Sequence, residues 1–250
     1  MKRVFEHLDK RSRELACEPL FGYLRGVDVG PYERLRFVPW AAYLVMTIGD
    51  LYRSFLITGQ PQDQYERLAE RNMAEEAVHC NWYITDLRRL GLDPTMRFTD
   101  ALRFLWGEAT VKTRNVGYGI CQLSAELHSM HRLVMVYAIE ATSRVMLEAL
   151  MPAGVEIEGN TDCPLAYLGR RHFQAEREHT LEDEGVQAGL RAVALDEETR
   201  AQLITVVDRI FSLFSGFVDN LFDVVQAGSI FEETVRQLET SAQGPALTTE

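Results

Sequence analysis

Three features of this 250-residue sequence predict an all-α fold. Nearly every long segment repeats its apolar residues at the 3.6 period, and no segment alternates convincingly as a strand. The punctuation is that of helix ends, with Pro near starts, Gly after stops and Asp or Thr at caps. A 46% hydrophobic content suffices for a sizeable core. Residues 1–240 are therefore expected to form one helical domain, and 241–250, which lack periodicity, a frayed tail.

The N-terminus, Met1-Lys2-Arg3-Val4-Phe5-Glu6-His7, runs straight into charged amphipathic sequence. Gly30-Pro31 predicts a helix over 31–59 kinked at Pro39, and Pro61 opens the next, which ends at Leu90-Gly91. Thr99-Asp100 caps a shorter helix through Trp106. A segment over 111–123 precedes a strongly apolar helix over 131–150, closed by Met151-Pro152-Ala153-Gly154. A polar loop over 156–162 follows, and Pro164 opens a helix that stops near Gly185 to Gly189. Asp196 caps the last long helix, whose stripe of Leu203, Val206, Val207, Ile210, Phe211, Phe214, Phe217, Val218 and Leu221 is core.

The formal charge of −11, scattered rather than blocked, argues against nucleic acid or an anionic membrane surface as partner. Four cysteines (Cys17, Cys80, Cys121, Cys163) stand far apart without a CxxC, which suits reduced thiols. The first residues do not read as a signal peptide, and the apolar run over 37–48 is too short to span a bilayer. A cytoplasmic location is expected.

The most informative stretch is Arg170-Arg171-His172-Phe173-Gln174-Ala175-Glu176-Arg177-Glu178-His179, which sets two imidazoles and a carboxylate at i, i+4 and i+7. At about 100° per residue, Glu176 lies ~40° and His179 ~20° from His172, so all three share a face on a helix. Two other helices supply partners. Glu75 and Glu76 precede His79 by four and three residues, so either carboxylate can meet that imidazole. Glu140 is the single acid in the apolar run Leu133-Val134-Met135-Val136-Tyr137-Ala138-Ile139-Glu140-Ala141-Thr142. Buried there, it would cost several kcal/mol unless coordinated or paired, for instance with Arg114. Helical bundles build dinuclear iron or manganese sites from such inward-facing residues. Glu126, His128 and His131 also have metal-like spacing, but they flank a helix entrance, where capping and solvent contact explain them.

With these motifs the chain resembles the heme-oxygenase-like diiron oxidases and oxygenases. Their pattern is a carboxylate and a His on one core helix, a lone Glu on the next, and His-xxx-(Asp/Glu)-xx-His on a third. Glu140 within Tyr137-Ala138-Ile139-Glu140-Ala141-Thr142 matches the lone Glu, and its distance to His172 matches the family's usual spacing. His79, eleven residues before Leu90-Gly91-Leu92, matches the first imidazole. The resemblance extends over 32–179. One departure is Asn72, which stands seven residues before His79, where many members carry the first carboxylate. Glu75 or Glu76 would have to substitute, and a weaker second iron is expected, since an amide is a poor replacement for a carboxylate. Three stretches, Arg34-Leu35-Arg36-Phe37-Val38-Pro39-Trp40, 72–79 and Leu102-Arg103-Phe104-Leu105-Trp106, look like a branch that includes an enzyme forming nitriles from a tryptophan derivative.

The resemblance implies a single-domain heme-oxygenase-like bundle, two Fe(II) ions and O2, and a small amino-acid-derived substrate undergoing N-oxygenation, desaturation or carbon–carbon cleavage. His79, Glu140 and one of Glu75 and Glu76 are expected on one iron, and His172, Glu176 and His179 on the other. Arg114, Tyr118 and Arg171, near these helices, are expected to meet a substrate carboxylate, and a homodimer fits the class. Other relatives of this fold degrade heme or thiamine, which would make His7 an axial ligand or Cys17 or Cys121 a nucleophile. Nothing near either cysteine in sequence supplies a base, and the ligand set leaves heme unneeded. The competing class is a non-catalytic helical protein that binds a metal or a partner through solvated acidic helices.

Overall fold

The computed structural model describes residues 1–53, 57, 59–179, 181, 183–229 and 231–241, and among them the fold is all-α, with no strand. In chain order the helices are α1 (Lys2–Leu15), α2 (Pro19–Arg25), α3 (Pro31–Leu35), α4 (Ala42–Leu51), α5 (Gln64–Glu76), α6 (His79–Arg89), α7 (Phe98–Trp106), α8 (Val111–Glu126), α9 (Ser129–Asn160), α10 (Arg170–Glu178), α11 (Glu184–Arg191), α12 (Glu197–Gln226) and α13 (Phe231–Ser241). Short 3-10 turns, Val38–Ala41 and Glu108–Thr110, precede α4 and α8.

The centre of the bundle is α9, where Leu133, Val134, Met135, Val136, Tyr137, Ala138, Ile139 and Glu140 are buried in unbroken succession. A helix apolar all round must be enclosed all round. Its neighbours are α12 and α5, then α3, α1, α10 and α2. The stripe of α12 is buried from Leu203 to Val224 and lies on α9, α1 and α8. That helix is long and apolar enough to cross a membrane by length and composition. Starts follow side-chain chemistry: Asp63 accepts from the Tyr65 and Glu66 amides at 2.8 and 2.9 Å to open α5. Asp196 accepts from the Thr199 amide at 2.7 Å to open α12.

Several boundaries differ from the expected ones. Residues 31–51 form α3, a 3-10 turn at Pro39 and α4 in place of one kinked helix, because Pro39 removes an amide donor and redirects the chain. The helix expected from Pro61 to Leu90 starts at Asp63 and breaks at Ala77-Val78. There the chain leaves α9, against which α5 packs, for α4, against which α6 packs. α9 runs through Pro152 to Asn160, taking in most of the expected loop. Its Gly154 lies so close to the backbone at Leu168 that a Cβ would overlap the Leu168 carbonyl. α10 begins at Arg170, not Pro164, and is separate from α11. Apart from Ser241, which ends α13, the expected tail over 241–250 lies outside the described residues.

Candidate metal centre

The end of α5, the start of α6 and the short helix α10 meet the middle of α9. Glu76 is the last residue of α5 and His79 the first of α6, so the break at Ala77-Val78 sets the angle between their side chains. Glu140 projects from the middle of α9. His172 and Glu176 lie one turn apart on α10, and His179 follows as its C-cap with extended backbone (φ −66°, ψ 150°). The third member of the triad thus turns inward from a helix end, not from the helical face.

These six side chains form two overlapping donor groups. Glu76, His79, His172 and Glu176 make one, and Glu76, Glu140, Glu176 and His179 the other, each with its donor atoms within 4.8 Å of one another. Both carboxylates from α5 and α10 therefore belong to both groups. In the first, His79 Nδ1 stands 2.8 Å from Glu76 Oε2, 3.0 Å from His172 Nε2 and 3.8 Å from Glu176 Oε1. His172 Nε2 is 2.9 Å from Glu176 Oε1. In the second, His179 Nδ1 is 2.6 Å from Glu76 Oε1 and 3.6 Å from Glu176 Oε2. Such spacings are near the ~3 Å expected between adjacent ligands of an ion whose bonds are about 2.0–2.2 Å long. Glu76 Oε1 and His179 Nδ1 are in contact, yet among the described residues neither buried atom makes a hydrogen bond of regular geometry. Buried donor atoms crowded this closely, some of them without a hydrogen bond, fit a cation.

The electrostatics follow from burial and crowding. Burial disfavours the Glu76 carboxylate, but contacts with His179 and His79 outweigh it and hold its pKa at about 2. Burial likewise opposes the His179 cation, yet Glu76, with Glu176 and Glu75 nearby, raises its pKa above the usual imidazole value. Burial first, then repulsion from Glu76 and Glu176, pushes Glu140 well above the carboxylate range. Asn72 Nδ2 donates to Glu140 Oε1 at 2.8 Å. The residue that departs from the family pattern is thus hydrogen-bonded to one member of the cluster.

Neighbouring residues fix the imidazoles. His172 Nδ1 lies 3.0 Å from the Tyr167 carbonyl, which can only accept, so Nδ1 carries the proton and the Nε2 lone pair faces the cluster. The Tyr167 carbonyl is positioned in turn by Asp86 of α6. Fully buried, Asp86 accepts from the backbone amides of Ala166, Tyr167 and Leu168 at 2.9, 2.7 and 2.9 Å. Trp82 stacks on His79 with ring centroids 4.4 Å apart, and the Arg171 guanidinium lies 4.4 Å over the Trp82 ring. The Tyr52 hydroxyl is buried without a hydrogen-bond partner among the described residues, and its pKa is raised well above normal by burial and by Glu140, Glu76 and Glu176.

Asp86→Ala is expected to cost roughly 3 kcal/mol or more, since three amides lose a charge-assisted bond each worth about 1.5–3 kcal/mol. By freeing the Tyr167 carbonyl it should also weaken metal binding by about 10- to 100-fold. Thermal melting and metal titration read the two effects; an unchanged metal affinity would show that the loop does not orient His172.

Other expected site residues lie elsewhere. Glu75 is in neither donor group and stands 3.5 Å from Arg71 Nε. Arg114 does not pair with Glu140; it donates to the Leu105 and Gly107 carbonyls and to Thr110 Oγ1, tying α8 to the preceding turn. Tyr118 is half exposed beside Tyr43. Neither these two nor Arg171 lines the cavity that adjoins the cluster. His7 Nε2 is hydrogen-bonded to Asp208 Oδ1 at 2.8 Å. His131 contacts Gln202 and Glu126 contacts Arg209, and neither belongs to a donor group among the described residues. All four cysteines are free thiols. Reasoning from sequence missed Asp86, Trp82 and Tyr52. Asp86, seven residues after His79 on the same helical face, carried the only available signal, a second inward acid.

The cavity is bounded by His79, His172, Glu76 and Glu176 on one side and by α4, α9 and α12 on the others, and it encloses about 100 Å³. No protein-family model matches the chain, and no curated protein matches it as a relative.

Proposed function

We propose that this protein is an O2-dependent, non-heme diiron oxidase or oxygenase acting on a small amino-acid-derived metabolite, by N-oxygenation, desaturation or carbon–carbon cleavage. The observation that carries the reading is the sharing of Glu76 and Glu176 between two buried donor groups that abut an apolar cavity. Mixed carboxylate and imidazole donors at this number suit iron better than zinc. When bound, a ferrous pair would supply the electrons and the open coordination positions needed to activate O2 beside a substrate.

The chain's own part is positioning and exclusion. His79 and His172 would hold one ion, Glu140 and His179 the other, and the two shared carboxylates would fix their separation. This division differs from the expected one, which placed His79 with Glu140 and His172 with His179. Tyr167 and Asp86 keep the His172 lone pair turned inward. Apolar walls from α4, α9 and α12 keep water from the cavity side. Asn72 orients Glu140, whose proton must leave before it can ligate.

Anaerobic reconstitution with ferrous iron tests the reading. About two irons per chain are expected, matching the two donor groups, followed by O2 consumption on mixing with air-saturated buffer. A stoichiometry near zero would sink the proposal, and tight iron with no O2 consumption would favour a non-catalytic metal-binding protein.

A further inference from the structure

The cavity beside the cluster has an uneven chemistry. Its far walls are Val45 and Ile48 of α4, Leu147 and Leu150 of α9, and Phe214 and Phe217 of α12. Among the residues that line it, the charged and imidazole side chains are Glu76, Glu176, His79 and His172, all within the donor groups. Among the described residues, no Arg or Lys lines it. The phenol of Tyr83, which also reaches it, already donates to the Val38 carbonyl at 2.8 Å. An ionised group placed against those far walls would be left without a counter-ion, since beyond the donor groups the lining offers only neutral groups, among them the hydroxyls of Ser143, Tyr83 and Tyr167, at a cost that discriminates against it. The enclosed volume of about 100 Å³ is on the scale of the ~150 Å³ apolar cavities that stay dry and hold benzene.

We infer that the cavity binds an uncharged, apolar, ring-sized group, an aromatic ring or a branched alkyl of similar bulk, and holds it against the His79 and His172 side of the cluster. Calling this group part of a substrate rests on the diiron reading above. Any charged portion of the same molecule lies toward the shared carboxylates and the ions they would hold, since the opposite walls offer it no counter-ion. Arg114, Tyr118 and Arg171, which lie off the cavity, take no part in holding it.

The test is binding of toluene and benzoate to the full-length chain, both metal-free and iron-loaded, by calorimetry and by ligand-observed NMR. Toluene is expected to bind both forms with one site per chain, and benzoate, whose carboxylate would meet only Glu76 and Glu176 when no ion is present, to bind the metal-free form at least about 100-fold more weakly. Val45→Phe, which fills the cavity, should weaken toluene at least about tenfold with iron content unchanged. Leu221→Ala, which widens the cavity from α12, should raise the affinity for the larger indole relative to toluene. That second variant keeps the test decisive if Val45→Phe does not fold. Absence of toluene binding, or benzoate binding to the metal-free chain as tightly as toluene, would overturn the inference whatever the iron content. Toluene binding to a chain that takes up no iron would leave the cavity assignment standing and sink the diiron reading alone.

Discussion

Glu76→Gln and Glu176→Gln should each empty the whole metal centre, whereas His79→Ala or His172→Ala should leave one ion bound. The asymmetry follows from membership: each of the two carboxylates supplies an oxygen to both donor groups, and each of the two imidazoles supplies a nitrogen to only one. Glutamine preserves volume, but its neutral amide oxygen is a poor donor to iron and cannot offer charge to two ions at once. Removing a partner outside the ligand shell already costs about 10- to 100-fold in metal affinity, and a shared ligand should cost more at both positions. Metal analysis after anaerobic loading is expected to give about two ions for the parent chain, near zero for either Gln variant and about one for either Ala variant. Glu75→Gln is the control, expected to keep two, since Glu75 belongs to neither group. Two ions in Glu76→Gln together with loss in Glu75→Gln would reverse the assignment.

Much of this site could be read from sequence, and the limits of that reading have physical causes. Helical periodicity places His172 and Glu176 on one face and marks Glu140 as an inward acid, because those relations are local. The pairing of donors is not local. His79 meets His172 and not Glu140 because the chain breaks at Ala77-Val78, and that break carries no Gly or Pro. It reflects a change of packing partner, from α9 to α4, which only the tertiary structure sets. Pro152 misleads in the opposite direction, as a strong breaker overridden where α9 is enclosed by the bundle. Asp86 shows in the sequence only as a second acid on the His79 face; its role does not, because its partners are backbone amides about 80 residues away, which have no side-chain signature. The arginines looked like anchors because their charge is legible, while their hydrogen bonds to carbonyls and their stacking on Trp82 are not.

Glu140→Gln should separate the metal role of that residue from its folding role, because the two respond to pH in opposite directions. In the metal-free protein, burial and the charges of Glu76 and Glu176 raise the Glu140 pKa well above the usual carboxylate value. The folded state therefore keeps a proton that the unfolded state releases above about pH 4.3. More protons on the native side make the slope of unfolding free energy with pH negative, so this group removes stability as pH rises from about 4.3 toward the folded pKa, by at most about 1.4 kcal/mol per pH unit. Below that window the penalty is absent. The amide introduced by Glu140→Gln would mimic the protonated acid in shape and keep an oxygen for the Asn72 amide, which Ala would leave buried and unpartnered. Metal-free Glu140→Gln is expected to melt close to the parent near pH 4 and progressively above it toward pH 8. Its metal content should fall from about two ions to one, with the His79 and His172 half retained. In the parent chain, by contrast, metal binding strengthens as pH rises, since the ions must displace the protons held by Glu140 and His179. A Glu140→Gln variant that loads two ions with parental affinity would remove Glu140 from the metal centre, and parallel melting curves from pH 4 to 8 would show that Glu140 is ionised in the metal-free fold.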